Sequence, residues 1–177
     1  MSTTNKTKPK QDNEWITPLW LMDLVRVIAR PHPIALDPFP AAGSHVRPRW
    51  RLRNGLGRAS WEERAAGGLV WVNPPYSRDL LGSCVARCIT EAKLGAHVLA
   101  LVPSSTDTAW FHATHAAADQ MCFLRGRVKF EGRADFGPLF PSVLIHFAGE
   151  RGKWEARNKA TFRRVFEDRG IVVTLGG

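Results

Sequence analysis

The sequence predicts an α/β sandwich whose sheet is mainly parallel, and three observations support this fold class. Short apolar runs that stop at turn-forming residues alternate along the chain with segments whose apolar residues recur at helical spacing. The chain has 177 residues, which is enough for one domain with a buried core. Its composition, with 44% hydrophobic and 23% charged residues, is ordinary for a globular protein. Alternating strands and helices are typical of layered α/β domains.

The amino-terminal part of the chain combines a polar segment with a helix. Residues 1–13 are polar and carry lysines without a following apolar region, so we expect a disordered leader and not a signal peptide. Residues 14–177 are expected to form a single domain. Thr17 is suited to cap the first helix, with Pro18 at its first position, and this helix is expected to reach about Arg30.

The remaining elements are predicted from apolar runs and helix caps. Ser77 is suited to cap a second helix, whose apolar stripe continues to Ile89. Residues 47–68 are basic and are expected to be irregular. Strands are predicted at 34–37, 69–72, 97–102, 120–124, 128–131, 143–147 and 171–175, and further helices at 107–117 and 153–168.

The charge of the chain favours a polyanionic partner. The formal net charge is +9 at pH 7, and nucleic acid is the leading candidate for such a partner. The three cysteines form no CxxC pair and are expected to be reduced thiols in the core. His112 and His115 lie three apart, but no cysteine or carboxylate completes a metal set, so no metal site is expected. No apolar run approaches the ~20 residues that a membrane helix needs.

The most distinctive motif is Asn73-Pro74-Pro75-Tyr76, which directly follows the predicted strand at 69–72. Ligands of open α/β sheets bind beyond the carboxyl ends of the strands, so a site is expected at this position. The prolines fix their own φ angles, lack N–H donors and leave carbonyl acceptors free. A Pro-Pro turn with a packing tyrosine is the alternative interpretation of the same residues.

A stiff loop rich in acceptors suits a substrate that carries an amino group. The adenine N6 amine is a poor nucleophile, because its lone pair is delocalised into the ring, and its two protons need acceptors. The Asn73 side-chain oxygen and the Pro74 carbonyl are suited to accept one proton each, which favours a more tetrahedral nitrogen. Tyr76 offers a ring face for base stacking, and this hypothesis does not use its hydroxyl.

Six segments follow one another along most of the chain: EWITP (14–18), LDPF (36–39), WVNPPYS (71–77), LVPSSTDTAWFH (101–112), RGRVKF (125–130) and FPSVLIHF (140–147). Together they resemble the phage and prophage DNA N6-adenine methyltransferases (Dam-like). The resemblance implies a Rossmann-like domain that depends on S-adenosylmethionine, with helices on both faces of a mainly parallel sheet. It also implies methyl transfer to N6 of adenine in double-stranded DNA, by base flipping and direct in-line displacement, in the cytoplasm of a bacterial host.

The resemblance assigns roles to matched positions. The catalytic loop that it implies is Asn73, Pro74, Pro75 and Tyr76. The cofactor contacts that it implies are Trp15, Thr17, Pro18, Asp37, Pro38 and Phe39. Asp37 would fix the methionine end of the cofactor, whereas a plain helix start remains the alternative for Thr17 and Pro18. Family members often carry an acidic residue directly before the position that matches Trp61, and this chain has Ser60 there. Glu62 or Glu63 would hold the cofactor ribose instead, or no acidic residue holds it.

Two arginine-rich segments are candidates for DNA contact. Arginines alternate in RPRWRLR, and one extended face of that segment is expected to present them to phosphates; they are Arg47, Arg49, Arg51 and Arg53. A second set with the same alternation is Arg125, Arg127 and Lys129. The alternatives are a solvated loop or edge strand for the first set and bracing of a hairpin for the second.

Other functions remain open at this point. An amino-methyltransferase for RNA or for protein glutamine is one alternative, because the same tetrapeptide occurs in such enzymes. A catalytically silent DNA-binding relic is the other. Residues 43–68 and the turn at 132–138 are the candidate surfaces for reading bases, and they are short and poor in Asn and Gln. A degenerate or short target of at most about four base pairs is therefore expected. The sequence does not predict the oligomeric state.

Overall fold

A computed structural model describes residues 15–131, 140–149 and 153–175 of the chain. The predicted leader and the predicted base-reading turn at 132–138 lie outside these residues. The described helices are α1 (Leu19–Ala29), α2 (Trp61–Ala65), α3 (Arg78–Lys93), α4 (Ala109–Ala117) and α5 (Lys153–Phe166). The described strands are β1 (Leu36–Asp37), β2 (Trp50–Arg51), β3 (Leu69–Val72), β4 (His97–Pro103), β5 (Gln120–Leu124), β6 (Ser142–Ala148) and β7 (Gly170–Thr174).

The strands form one seven-stranded sheet with the order β2-β1-β3-β4-β6-β5-β7. The four strands β2, β1, β3 and β4 pair in parallel. The pairings β4 with β6, β6 with β5 and β5 with β7 are antiparallel. The sheet is therefore mixed, and the expectation of a mainly parallel sheet is wrong for the carboxy-terminal half of the chain.

The reason for this difference lies in how two crossover units interleave. Strand β4 and strand β5 run in the same direction and are joined through α4, as the alternation of strands and helices predicts. Strands β6 and β7 are related in the same way through α5. However, β6 inserts between β4 and β5, and β5 lies between β6 and β7. Local sequence patterns reveal each crossover unit but do not reveal that two units interdigitate.

Helices cover both faces of the sheet, as predicted. On one face, α2, α3 and α4 pack on alternate strand residues such as Val70 and Val72. On the other face, α1 and α5 pack on the intervening residues, including Leu69 and Trp71. The side chains of β3 alternate between the two cores because successive strand residues point to opposite faces. All four are buried, and the sheet is therefore the shared wall of two apolar layers.

Four local predictions need correction. Helix α1 begins at Leu19 and has Pro18 at its N-cap position, so Thr17 does not cap it. Ser77 occupies the N-cap position of α3, as expected, but its side chain makes no capping hydrogen bond. The segment 128–131 is not a strand, and only Glu131 forms an isolated antiparallel bridge, with Ile16. The basic segment 47–68 contains the short elements β2 and α2 and is less irregular than predicted.

The cysteines agree with the prediction of reduced core residues. Cys84, Cys88 and Cys122 are free and buried, and burial raises the pKa of each thiol; for Cys84 it rises to about 11.

Among the described residues, no group of three His, Cys, Asp or Glu side chains is arranged to hold a metal ion. None of the described helices is long and apolar enough to cross a membrane.

Candidate active site

A cleft of about 620 Å³ lies at the carboxyl ends of β1 and β3. The chain leaves β1 toward β2 on one side and returns to β3 on the other, so this is the point where the strand order reverses. Open sheets bind ligands at such switch points. The cleft is lined by residues 38–41, residues 51–56, Trp15, Asn73, Pro75, Leu80 and Cys84.

The polar end of the cleft is organised around the Asn73 side chain. The Asn73 Nδ2 group donates to the Trp15 carbonyl and to Thr17 Oγ1, the latter over 3.1 Å. The Asn73 Oδ1 atom accepts a hydrogen bond of 2.7 Å from the Tyr76 hydroxyl. That hydroxyl also lies 3.0 Å from the Leu101 carbonyl. Both ends of the amide are therefore engaged, and its orientation is defined by the chain itself.

The Tyr76 ring is surrounded by aromatic side chains. Trp15 stacks on it with a centroid distance of 5.7 Å and an interplanar angle of 28°. Phe130 and Phe140 meet it edge-on, with centroids at 5.9 and 5.4 Å. Burial raises the pKa of the Tyr76 hydroxyl well above its usual value, so this group is a neutral donor. The hydroxyl has a structural partner in Asn73 that the sequence hypothesis did not assign.

The segment 15–18 joins two motifs that are far apart in sequence. Ile16 bridges to Glu131, and the Glu131 carboxylate accepts from the Leu19 backbone N–H at 3.3 Å. Thr17 is only 2% exposed and contacts Asn73. The predicted amino-terminal motif and the predicted catalytic loop are thus in direct contact. Thr17 and Pro18 are buried beside the cleft, whereas Trp15 lines it.

Asp37 lies at the end of β1 and is buried, with 3% of its surface exposed. Its Oδ1 atom accepts from the Phe39 backbone N–H at 3.0 Å. Burial is the main reason that the pKa of this carboxyl rises from 3.8 to about 6, and the Phe39 N–H and the Arg51 charge lower it in part. Pro38 and Phe39 line the cleft directly, while Asp37 supports the turn behind them.

The opposite wall of the cleft, residues 51–56, was not assigned to the cofactor site by the sequence. It approaches the LDPF turn closely: a Cβ atom on Gly55 would lie 2.5 Å from the Pro38 carbonyl oxygen. Asn54 folds this wall into a turn by accepting the Leu56 N–H at 3.0 Å. Glycine at 55 is the signal that was available in the sequence, because such a close backbone approach excludes side chains.

An internal ion pair on α3 holds this wall in place. The Glu91 carboxylate is 1% exposed and accepts the backbone N–H groups of Trp61 (2.9 Å) and Glu62 (3.0 Å) at the start of α2. Arg87 pairs with Glu91 at 2.6 Å and donates to the Gly57 and Ala59 carbonyls. Trp61 Nε1 in turn donates to the Gly55 carbonyl at 3.1 Å. Glu62 and Glu63 do not line the cleft.

The arginines of RPRWRLR differ in their local contacts. Arg51 and Arg53 line the cleft. Arg47 donates to the Ser44 carbonyl at 2.7 Å, so it braces its own turn. All four arginines are exposed, and Trp50 and Arg51 of this segment form β2. Contact with DNA therefore remains a prediction for each of them separately.

The second basic set lies after β5. Arg125, Arg127 and Lys129 are exposed and alternate with Gly126, which has a φ of 73°, and with buried Val128. The direction of β5 is that of β4, so this set lies at the same edge of the sheet as Asn73. Its position fits a surface beside the cleft and not a part of the cleft.

Comparison with known proteins gives one positive result. The family model described as DNA N-6-adenine-methyltransferase (Dam) matches residues 3–164. Comparisons with curated proteins and with solved structures gave no match. The match does not bear on a phage origin, which stays a prediction. It covers most of the 177 residues and includes the Asn73 loop, the LDPF turn and both basic sets, so the chain belongs to the DNA N-6-adenine-methyltransferase (Dam) family.

Proposed function

We propose that this chain transfers a methyl group from S-adenosylmethionine to N6 of adenine in double-stranded DNA. The observation that carries the proposal is the oriented Asn73 amide at the polar end of a cleft at the sheet's switch point. The net charge of +9 supports a polyanionic substrate. A Rossmann-like origin of the fold is supported by the parallel β2-β1-β3-β4 half of the sheet.

The cleft is suited to a cofactor of this size and chemistry. Its volume of about 620 Å³ lies within the range of roughly 300–1,000 Å³ that small-molecule sites occupy. Its walls are mostly apolar, with Phe39 and Leu56 on facing segments, and polar groups are contributed by Arg53 and Asn54. S-adenosylmethionine would supply an electrophilic methyl group at this site. Asp37, Phe39 and the wall at 51–56 would hold it, with Trp15 at the other end.

The chain's own groups would hold and orient the adenine amine. Asn73 Oδ1 accepts one hydrogen bond from Tyr76 and has a second lone pair for an amine proton. The Pro74 carbonyl would accept the other proton, because the loop has no N–H at positions 74 and 75 to compete. With both protons held, the nitrogen lone pair is directed at the methyl donor. One of the two amine protons leaves the nitrogen after the methyl transfer, so no general base is required before it.

Base stacking on Tyr76 requires a local rearrangement. The Trp15 and Tyr76 rings are 5.7 Å apart, whereas a base between two rings needs about 7 Å, twice a contact distance of about 3.5 Å. We therefore propose that a flipped adenine displaces Trp15 from the Tyr76 face. The Tyr76 hydroxyl, which is bonded to Asn73, would keep the amide in place during this movement.

The experiment that tests the proposal is incubation of the chain with labelled S-adenosylmethionine and unmethylated plasmid, followed by nucleoside mass spectrometry. We expect N6-methyladenine from the wild type and a loss of about 100-fold or more for Asn73→Ala. RNA and a protein extract are offered in parallel reactions. Label confined to RNA or protein would replace the DNA proposal, and cofactor-independent DNA binding without any transfer would indicate a silent relic. Mapping of the methylated sites then tests the expected short or degenerate target.

A further inference from the structure

An exposed tryptophan lies one helical turn from the catalytic loop. Trp20 is 44% exposed and the preceding Leu19 is 49% exposed, although both begin a helix whose next residues, Leu21 and Met22, are fully buried. Thr17, three residues before Trp20, contacts the Asn73 amide. Trp20 is therefore held at the edge of the sheet where the site opens, and its ring is not part of either core.

Arg169 contacts this tryptophan, and Arg125 lies beside Arg169. The Arg169 guanidinium lies over the Trp20 ring, 5.9 Å from the ring centre. The Arg169 carbonyl accepts the Arg125 backbone N–H at 2.8 Å, which ties the turn before β7 to the end of β5. Together these segments enclose a hollow of about 280 Å³, lined by Trp20, residues 124–128, Asp168 and Arg169.

The hollow is basic and aromatic. Arg125, Arg127 and Arg169 are all exposed, and among the described residues that line the hollow Asp168 alone is acidic. Strand β5 runs in the direction of β4, so its end at Leu124 lies at the same edge of the sheet as the end of β4 at Pro103. A positively charged surface with an exposed ring is the combination that binds nucleic acid through phosphates and base faces.

We propose that Trp20, Arg125 and Arg169 form a contact surface for DNA that flanks the flipped base. Trp20 stacks on a base next to the target and takes over part of the stacking that flipping removes, while Arg125 and Arg169 neutralise phosphates. Arg169 already lies on the Trp20 ring, so the two groups are ordered before DNA arrives. This inference rests on the proposed function, since it assumes that DNA is the substrate.

The test measures equilibrium binding of the full chain to a fluorescent duplex at several salt concentrations. Trp20→Ala is expected to weaken binding about tenfold at every salt concentration, because aromatic stacking is the lost interaction. Trp20→Phe should retain most of the affinity. Arg169→Ala is expected to weaken binding and to reduce the slope of log K against log salt by about one. The cofactor affinity should stay unchanged in all three variants.

Matched controls lie away from this edge. Leu94→Ala removes an apolar side chain that is 62% exposed at the end of α3, and Arg64→Ala removes an exposed arginine on α2. If wild-type chain binds and methylates DNA but Trp20→Ala and Arg169→Ala behave like these controls, the inference is overturned while the proposed function stands. Absence of DNA binding by the wild type overturns both. Thermal melts of every variant establish that the fold is intact.

Discussion

The Tyr76 hydroxyl donates to Asn73 Oδ1 over 2.7 Å, so the tyrosine of the loop at 73–76 holds the asparagine of the same loop. The sequence hypothesis used only the ring face of Tyr76. The structure adds a second role, because the hydroxyl binds the oxygen end of the Asn73 amide, while the Trp15 carbonyl, which can only accept, holds the Nδ2 end. Without this bond, the amide is held only at its Nδ2 end, and the oxygen that would accept the amine proton is less firmly placed.

We therefore expect Tyr76→Phe to lower kcat by about threefold to tenfold, the effect of losing one hydrogen bond of about 1 kcal/mol. Tyr76→Ala should be more severe because it also removes the ring from a cluster with Trp15 and Phe140. The double variant Tyr76→Phe with Asn73→Ala should be no slower than Asn73→Ala alone, since the hydroxyl acts through Asn73. Steady-state kinetics on plasmid DNA measure all of these, and additive effects would contradict the positioning role.

Asp37→Asn should weaken cofactor binding and stabilise the fold at neutral pH. Burial raises the pKa of this carboxyl from 3.8 to about 6, so its ionised form is disfavoured in the folded state. The stability it contributes is present below pH 4 and is lost as the pH rises through about 6. Chemical denaturation of both proteins should show Asp37→Asn gaining roughly 2 kcal/mol above pH 6, with the difference vanishing near pH 4. Equal stabilities across this range would argue against a buried, ionised Asp37.

Glu91→Gln should destabilise the fold and weaken cofactor binding together. The substitution removes the negative charge that pairs with Arg87 and replaces one of the two carboxylate oxygens by an NH2 donor, which weakens the hold on the start of α2. We expect a loss of about 2 kcal/mol in unfolding free energy, less than for a fully buried pair because Arg87 is partly exposed. Calorimetry should show a several-fold weaker affinity for the cofactor, with the exposed Glu63→Gln as control. Unchanged affinity at lower stability would restrict Glu91 to a structural role.

Alanine substitutions of Arg49 and Arg51 should have different effects on cofactor binding and on DNA binding. Arg51 lines the cleft and lies near Asp37, so Arg51→Ala is expected to weaken cofactor binding more than DNA binding. Arg49 is exposed and does not line the cleft, so Arg49→Ala should reduce the salt dependence of DNA binding by about one phosphate contact. Calorimetry and salt titrations distinguish the two residues. If both variants change only the salt slope, the simpler sequence hypothesis of one phosphate-binding face is correct.

The sequence predicted the elements on either side of the loop at 73–76 better than it predicted their arrangement in the sheet. Strands β3 and β5 have the predicted bounds, because each is a short apolar run that is closed by turn residues or charge. Because the end of β3 was predicted correctly, the position of Asn73 directly after this strand was predicted as well. The start of α1 was misplaced, because Thr17 has a side chain suited to capping but makes its hydrogen bond with Asn73, a residue distant in sequence.

Local sequence patterns do not predict the cleft wall at 51–56. It has no hydrophobic periodicity, and its path is set by partners that are remote in sequence. Glu91, for example, is 30 residues from Trp61, whose N–H it accepts. The spacing of Arg87 and Glu91, four residues apart on α3, is the spacing of an ordinary surface ion pair of a helix. Only the packing of α2 on α3 makes that pair internal and gives it the backbone of the wall as a partner.

Helix α3 has a consequence for how this protein tolerates change. It begins at Arg78, shortly after the loop at 73–76, and its last turns carry Arg87 and Glu91, which hold the cleft wall at 51–56. A substitution that tilts or shifts this helix, for instance in its buried face at Val85 or Cys88, moves both ends at once. Substitutions along α3 should therefore be epistatic. A substitution that is neutral alone becomes harmful when a second one is present, and compensating pairs of substitutions will have one member near each end of the helix.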